Sequence, residues 1–138
     1  MLVLFAGFAL APPAHADELL IIANPSVGEA AACSLKEIAS IYLLRVTLWP
    51  DGTHIVPVNR ELGSEARQQF TSTVLREDNA RLAAYWNQMH FQGKLPPLVQ
   101  ESEVAVLAFV QRVPGAVGYI RGSLPHEGVR VLCHVRER

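Results

Sequence analysis

The stretch LLIIANP, residues 19–25, decides the fold class of this chain. Five apolar residues in succession, with no polar alternation, are typical of a strand that is covered on both faces, as in a parallel sheet packed between helices. The Asn-Pro pair ends the strand, because proline has no amide hydrogen for the sheet ladder. The run therefore predicts an α/β fold.

Four helices are predicted downstream, each by a capping residue followed by apolar residues at helical spacing. The caps are Ser34, Ser64, Asp78 and Ser102. The inward-facing residues are Leu35, Ile38, Ile41 and Tyr42 in the first helix, which runs to about residue 44, then Ala66, Phe70 and Val74, and then Leu82, Tyr85, Trp86 and Met89. The fourth helix, 103–113, is apolar nearly all round and is expected to be largely buried.

Three more strands are predicted, at 53–59, 116–120 and 129–135, with a proline-stiffened connector at 94–98. The order β, α, β, α, α, α, β, β favours a mixed sheet flanked by helices, because parallel neighbours need crossovers long enough to hold a helix. Tyr85 and Trp86 are expected in the core. Trp49 stands beside the turn 50–52 and is expected to be exposed, as part of a contact surface.

The first sixteen residues have the plan of a cleavable secretory signal. They hold an apolar block at 2–11, carry no charged side chain, and end in Ala14-His15-Ala16. Cleavage after Ala16 would leave one α/β domain, 17–138, in the periplasm. The two cysteines of the chain, Cys33 and Cys133, can then be disulfide-bonded or be two buried thiols, and the sequence leaves both alternatives open.

Composition argues against several classes of function. The formal net charge of −1 gives no general attraction to nucleic acid. The histidines and cysteines lack the spacing of a zinc site, and no nucleophile elbow or nucleotide-binding glycine loop occurs. We therefore expect no enzyme activity, no metal and no cofactor.

A series of short motifs resembles the periplasmic substrate-binding proteins of phosphate-type ABC transporters. In chain order these are Trp49-x-Asp51-Gly52, Arg60-x-x-Gly63-Ser64, Tyr85-Trp86, Phe91-x-Gly93-Lys94, Pro96-Pro97 and the run PGAVGYI at 114–120. The resemblance covers roughly residues 34–120. It implies a single lobe of a type II periplasmic-binding-protein-like fold, because proteins of that family have two lobes and need about twice this length.

The resemblance also implies a ligand site where Arg60-x-x-Gly63-Ser64 opens a helix. Unpaired amides at a helix start attract an anion such as phosphate. Arg60 can supply a guanidinium, Ser64 a hydroxyl, and Gly63 a close backbone approach. The chain departs from the family at Glu65 and Ala66, whose amides remain available although Glu65 adds a carboxylate. It departs also after the first strand, where Ser26 is a candidate donor without the family's glycine- and serine-rich loop.

Two functions follow. In the first, the domain binds phosphate or another small oxyanion and presents it to a membrane permease. In the second, a module of the same fold has lost its ligand and uses the open cleft face to bind another periplasmic protein in signalling or assembly. Arg60 pairing with Glu61 or Glu65 on the surface is the purely structural alternative for that residue.

Overall fold

The computed structural model describes residues 18–29 and 33–136, together with Val3 and Gly7. The predicted signal, 1–16, therefore lies outside the continuously described ranges. The strands are β1 Leu19–Ala23, β2 Val56–Arg60, β3 Leu98–Gln100, β4 Ala116–Arg121 and β5 Arg130–Val135. The helices are α1 Leu35–Tyr42, α2 Glu65–Phe70, α3 Asn79–Phe91 and α4 Glu103–Arg112, and a π-helical turn, Thr71–Leu75, continues α2 directly.

The five strands form one mixed sheet in the order β3-β2-β4-β1-β5. β2 lies parallel to both β3 and β4, whereas β1 runs antiparallel to both β4 and β5. The carboxyl ends of β2 and β4 therefore meet at one end of the sheet, and the carboxyl end of β1 lies at the opposite end. This polarity decides which loops can share a site.

The central strand β1 is buried along its whole length, as the apolar run predicts. Leu19, Ile21 and Ala23 join the core on one face of the sheet, with α1 and α2. Leu20 and Ile22 join the core on the other face, against α4. The prediction of a strand covered on both faces is confirmed, although the strand pairs antiparallel with its neighbours.

Helix α4 lies against β4 at Gly118. A Cβ atom at Gly118 would stand 2.8 Å from Val106 Cγ1 and 3.2 Å from Val110 Cγ2, so glycine permits this approach. Val106 and Val110 are fully buried, whereas Val104 is 65% exposed and the other apolar residues of α4 are half-buried. The expectation that α4 is largely buried is therefore met on one face only.

The predicted caps are all present. Ser34, Ser64, Asp78 and Ser102 each accept a hydrogen bond from the amide three residues later. Helix α1 ends at Tyr42, slightly earlier than predicted, because Leu44 adopts a left-handed conformation. In α3 only Met89 is buried, and Tyr85 and Trp86 are half-buried instead of lying in the core.

In addition, one strand was missed and one tryptophan was misplaced. Strand β3 was not predicted: only its first residue, Leu98, lies in the predicted connector 94–98, and three residues are too few to show a periodic pattern. Trp49 is 5% exposed instead of forming a contact surface. Its indole Nε1 donates to the carbonyl of Gly115 at 2.9 Å, so the turn folds the ring under the start of β4.

The two cysteines are joined. Cys33 precedes α1, Cys133 lies in β5, and their Cα atoms are 5.2 Å apart in a disulfide that links positions 100 residues apart. The disulfide ties the start of the first helix to the edge strand, which resolves the alternative that the sequence leaves open.

Candidate functional site

A surface cleft of about 470 Å³ lies at the carboxyl ends of β2 and β4. The amino ends of α2 and α4 both open onto it. Its lining residues are Arg60, Ser64, Glu65, Ala66, Glu101, Ser102, Glu103, Val104 and Arg121, which together we name the α2–α4 cleft. The cleft thus brings four of the predicted site residues together: Arg60, Ser64, Glu65 and Ala66.

The start of α2 offers two backbone donors to the cleft. The hydroxyl of Ser64 accepts from the amide of Arg67 at 3.1 Å, so the cap satisfies the third amide of the helix. The first two amides, those of Glu65 and Ala66, have no acceptor among the residues that the structure describes. Unpaired amides at a helix start carry the positive end of the helix dipole.

The start of α4 repeats this arrangement. Ser102 Oγ accepts from the amide of Ala105 at 3.0 Å, which leaves the amides of Glu103 and Val104 without an acceptor in the described part of the chain. The carboxylate of Glu103 accepts from the backbone amide of Arg121 at 3.0 Å, which ties the helix start to the end of β4. Two capped helix ends therefore face the same space.

Arg60 does not present a free guanidinium to the cleft. Its Nε and Nη2 donate to the two carboxylate oxygens of Glu61 at 3.0 Å and 3.1 Å. These side-chain hydrogen bonds lower the pKa of Glu61 below its ordinary value. The alternative in which Arg60 pairs with Glu61 is the one the structure has, so binding through Arg60 would require this pair to open.

The role of an arginine that is available to an anion, which the sequence assigned to Arg60, fits Arg121 better. Its Nη2 lies 3.4 Å from Glu65 Oε2, and the arginine side chain is 26% exposed whereas that of Glu65 is 88% exposed. An ion pair with so exposed a partner is weak and is easily opened by a competing ligand. Arg121 is therefore the more available cation of the cleft.

The charge of the cleft is mixed. The carboxylates of Glu65, Glu101 and Glu103 face it together with the two guanidinium groups of Arg60 and Arg121. The helix amides attract an anion, and the carboxylates oppose it. A ligand that both accepts and donates hydrogen bonds fits this lining better than one that only accepts.

Ser26 and Gly63 lie outside the lining. Ala23 at the end of β1 pairs with Val117 near the start of β4, so Ser26 lies at the opposite end of the sheet from Arg121. There the Ser26 hydroxyl accepts from the amide of Gly115 at 3.0 Å. Gly63 is exposed, and a Cβ added to it would meet nothing within 4 Å.

Sequence reasoning missed the α4 half of the cleft. It identified Ser102 as a cap but assigned no binding role to Glu101, Glu103 or Arg121. Arg121 follows directly after the predicted strand 116–120, and carboxyl ends of parallel strands meet at one edge. The parallel pairing of β2 with β4 is the missing information, because without it the two helix starts cannot be placed together.

Two kinds of feature do not occur among the residues that the structure describes. No helix among them is both long and apolar enough to cross a membrane. Within the same ranges, no group of three or more histidine, cysteine, aspartate or glutamate side chains is arranged to hold a metal ion.

Solved structures share this fold. A putative phosphate ABC transporter substrate-binding protein with bound phosphate from Clostridium perfringens matches with a TM-score of 0.67 at 21% identity, over 86% of this chain and 46% of that one. An ABC-type phosphate transport receptor from Vibrio cholerae matches with a TM-score of 0.63 at 20% identity, over 86% and 47%. PstS from Borrelia burgdorferi matches with 0.57 at 17%, over 75% and 40%.

These matches show a fold relationship. This chain spans less than half the length of each of those proteins. The single lobe of a type II periplasmic-binding-protein-like fold, with a mixed sheet flanked by helices, is thereby confirmed. No protein-family model and no curated protein matches the sequence.

Proposed function

We propose that this protein is a substrate-binding-like protein that takes a small oxyanion such as phosphate in the α2–α4 cleft, for delivery to the membrane permease of an ABC transporter. The observation that carries the proposal is the convergence of two serine-capped helix starts beside Arg121. The fold shared with phosphate-binding structures supports it. We propose further that the protein acts in the periplasm and has no enzyme activity, which the predicted signal and the shared fold support.

The lining favours an oxyanion that carries a proton. Amides of Glu65, Ala66, Glu103 and Val104 can donate to ligand oxygens, and Arg121 can donate through its guanidinium. A carboxylate can only accept, so the Glu103 carboxylate, held at the end of β4 by the amide of Arg121, would accept from the hydroxyl of hydrogen phosphate but repel sulfate, which has no proton near neutral pH. The proposed ligand class is therefore protonated oxyanions, with phosphate before sulfate.

Calorimetric titration at low salt tests this function. Phosphate should bind saturably, and sulfate should bind more weakly. Arg121→Gln should weaken phosphate binding by about tenfold or more, since it removes the available charged donor. The matched control is Arg112→Gln, which removes an exposed arginine at the other end of α4. Absence of heat with phosphate at millimolar concentration would reject the proposal.

A second function is favoured by the acidic side of the same cleft. Three glutamates line it, and Val104 beside them is 65% exposed, so a basic segment of another periplasmic protein could occupy this face in signalling or assembly. Glu101→Gln separates the two functions. Neutralising Glu101 should strengthen phosphate binding under the first function and weaken binding of a lysine-rich peptide under the second.

A further inference from the structure

A second concavity, of about 550 Å³, lies on the β3 side of the sheet and is separate from the α2–α4 cleft. Strands β2 and β3 form one wall, the α2 segment with its π-turn another, and α3 the third. The wall is mostly apolar, with contributions from Leu75, Leu82, Trp86 and Pro97. A cavity of this size and character is in the range of small-molecule sites. We name it the β3-side pocket.

Asn59 places an unused donor in this pocket. The residue is 8% exposed, and its Oδ1 accepts from the backbone amide of Arg60 at 2.9 Å and from the hydroxyl of Tyr119. A backbone amide is a donor only, so the atom facing it must be the oxygen, and the amide orientation is determined. Among the described residues no acceptor lies within hydrogen-bonding distance of Nδ2, although Asn59 lines the pocket.

A buried donor without an acceptor costs free energy, by about 1–3 kcal/mol when nothing replaces water. In this structure no such donor occurs among the fully buried side-chain atoms that are described. Nδ2 of Asn59 is therefore accessible from the pocket, where it can donate a hydrogen bond to an oxygen of a ligand.

Arg67 supplies the charge beside this donor. Its Nη1 donates to the carbonyl of Arg60 at 2.7 Å, which holds the guanidinium next to the residue that follows Asn59. Arg67 is the one charged residue among the described residues that line the pocket. The Glu61 carboxylate accepts its hydrogen bonds from Arg60 and acts on Arg67 through charge alone, so the other guanidinium nitrogens of Arg67 have no acceptor among the described residues.

From these observations we propose that the β3-side pocket binds a small organic acid, with its carboxylate on Asn59 Nδ2 and the Arg67 guanidinium and its apolar body against Leu82, Trp86 and Pro97. Charge complementarity selects an acid over a neutral alcohol of the same length. The apolar wall selects a hydrocarbon or aromatic body over a compact inorganic ion. This site is distinct in place and chemistry from the proposed oxyanion cleft.

The test compares octanoate, 1-octanol and inorganic phosphate as probes, by calorimetry and by tryptophan fluorescence. Trp86 lines the pocket, whereas the only other tryptophan of the chain, Trp49, is buried near the opposite end of the sheet. Octanoate should bind saturably and change the tryptophan fluorescence emission. The affinity for octanol should be lower than that for octanoate by about tenfold or more. No signal with octanoate, or equal binding of octanol, would overturn the proposal.

A matched pair of variants locates the site. Ala83 and Ala84 are adjacent exposed residues of α3, and only Ala83 lines the pocket. Ala83→Glu should weaken octanoate by about tenfold or more through repulsion, and Ala84→Glu should leave it unchanged. Equal effects of the two variants would contradict the assignment.

Two further measurements distinguish this proposal from the oxyanion function. Asn59→Asp keeps an oxygen that accepts from the Arg60 amide and the Tyr119 hydroxyl, but it replaces the Nδ2 donor by a carboxylate oxygen. Octanoate binding should therefore fall while phosphate binding remains. Arg121→Gln should do the reverse, and phosphate should not compete with octanoate. Competition between the two probes would place octanoate in the α2–α4 cleft and would overturn the second site.

Discussion

Arg121 Nη2 lies 3.4 Å from Glu65 Oε2, so the end of β4 and the start of α2 are linked by an ion pair across the cleft. The Glu65 carboxylate forms an ion pair with the Arg121 guanidinium. Because this carboxylate is exposed at the mouth of the cleft, it also repels an entering anion. Its carboxylate also complements the positive end of the α2 dipole. Stability and anion binding therefore place opposite demands on this one side chain.

The first prediction concerns Glu65→Gln. The variant should bind phosphate about threefold to tenfold more tightly, because it frees Arg121 and removes a repelling charge. It should lose about 0.3–1 kcal/mol of unfolding free energy, since an acid leaves the first turn. Calorimetry and urea denaturation measure the two effects.

Glu77→Gln, which breaks a pair with Arg81 away from the cleft, is the control and should leave phosphate binding unchanged. Weaker phosphate binding in Glu65→Gln would contradict the proposed site.

The second prediction compares two glycines. Gly118→Ala should reduce the unfolding free energy by about 1–3 kcal/mol, because its methyl group would overlap Val106 and Val110 in a close-packed interior. Gly63→Ala adds a methyl group to open space and should be neutral or stabilise by up to about 1 kcal/mol. Urea denaturation measures both.

Gly63→Ala also tests how the cleft binds. The sequence suggested that Gly63 permits close approach of a ligand, whereas the structure places it outside the lining. We therefore expect phosphate affinity to be unchanged in this variant. Loss of phosphate binding with normal stability would return Gly63 to the site.

Features determined by neighbouring residues were predictable from the sequence. The four helix caps depend on a side chain and an amide three residues away, and each was placed correctly. The stripe of Ala66, Phe70 and Val74 is buried as predicted, although the helix changes to π geometry after Phe70. The burial of β1 on both faces followed from its unbroken apolar run.

Features determined by strand order were not predictable in this way. Ser26 follows strand β1, and Arg60 is the last residue of strand β2. Because these two strands run in opposite directions, the two residues lie at opposite ends of the sheet. Arg121 and Ser64 are far apart in sequence and meet only because β4 lies parallel to β2. Trp49 is buried by a hydrogen bond to Gly115, 66 residues away, which no local pattern indicates.

The third prediction concerns the disulfide between Cys33 and Cys133. A cross-link that closes a loop of about 100 residues stabilises a fold by roughly 4–5 kcal/mol in the chain-entropy model. Reduction should therefore lower the midpoint of urea denaturation strongly. The double variant Cys33→Ser with Cys133→Ser should show the same loss and no response to reductant. Equal stability of the oxidised and reduced protein would contradict the prediction.

The last prediction concerns alkaline stability and the buried Tyr119. Burial raises the pKa of Tyr119 above its ordinary value, and Tyr42 beside it is shifted in the same direction for the same reason. A tyrosine released on unfolding ionises near pH 10, whereas the buried one stays protonated. The stabilising effect is therefore complete below about pH 10 and is lost as the pH rises above it.

Tyr119→Phe should cost about 0.5–1.5 kcal/mol near pH 7, because the hydroxyl no longer donates to Asn59. Above about pH 10 only the wild type retains the titrating group at this position, so the difference in unfolding free energy between wild type and variant should shrink. Urea denaturation at intervals from about pH 7 to 11 measures that difference, and a constant value across the series would show that Tyr119 ionises alike in the folded and unfolded chains.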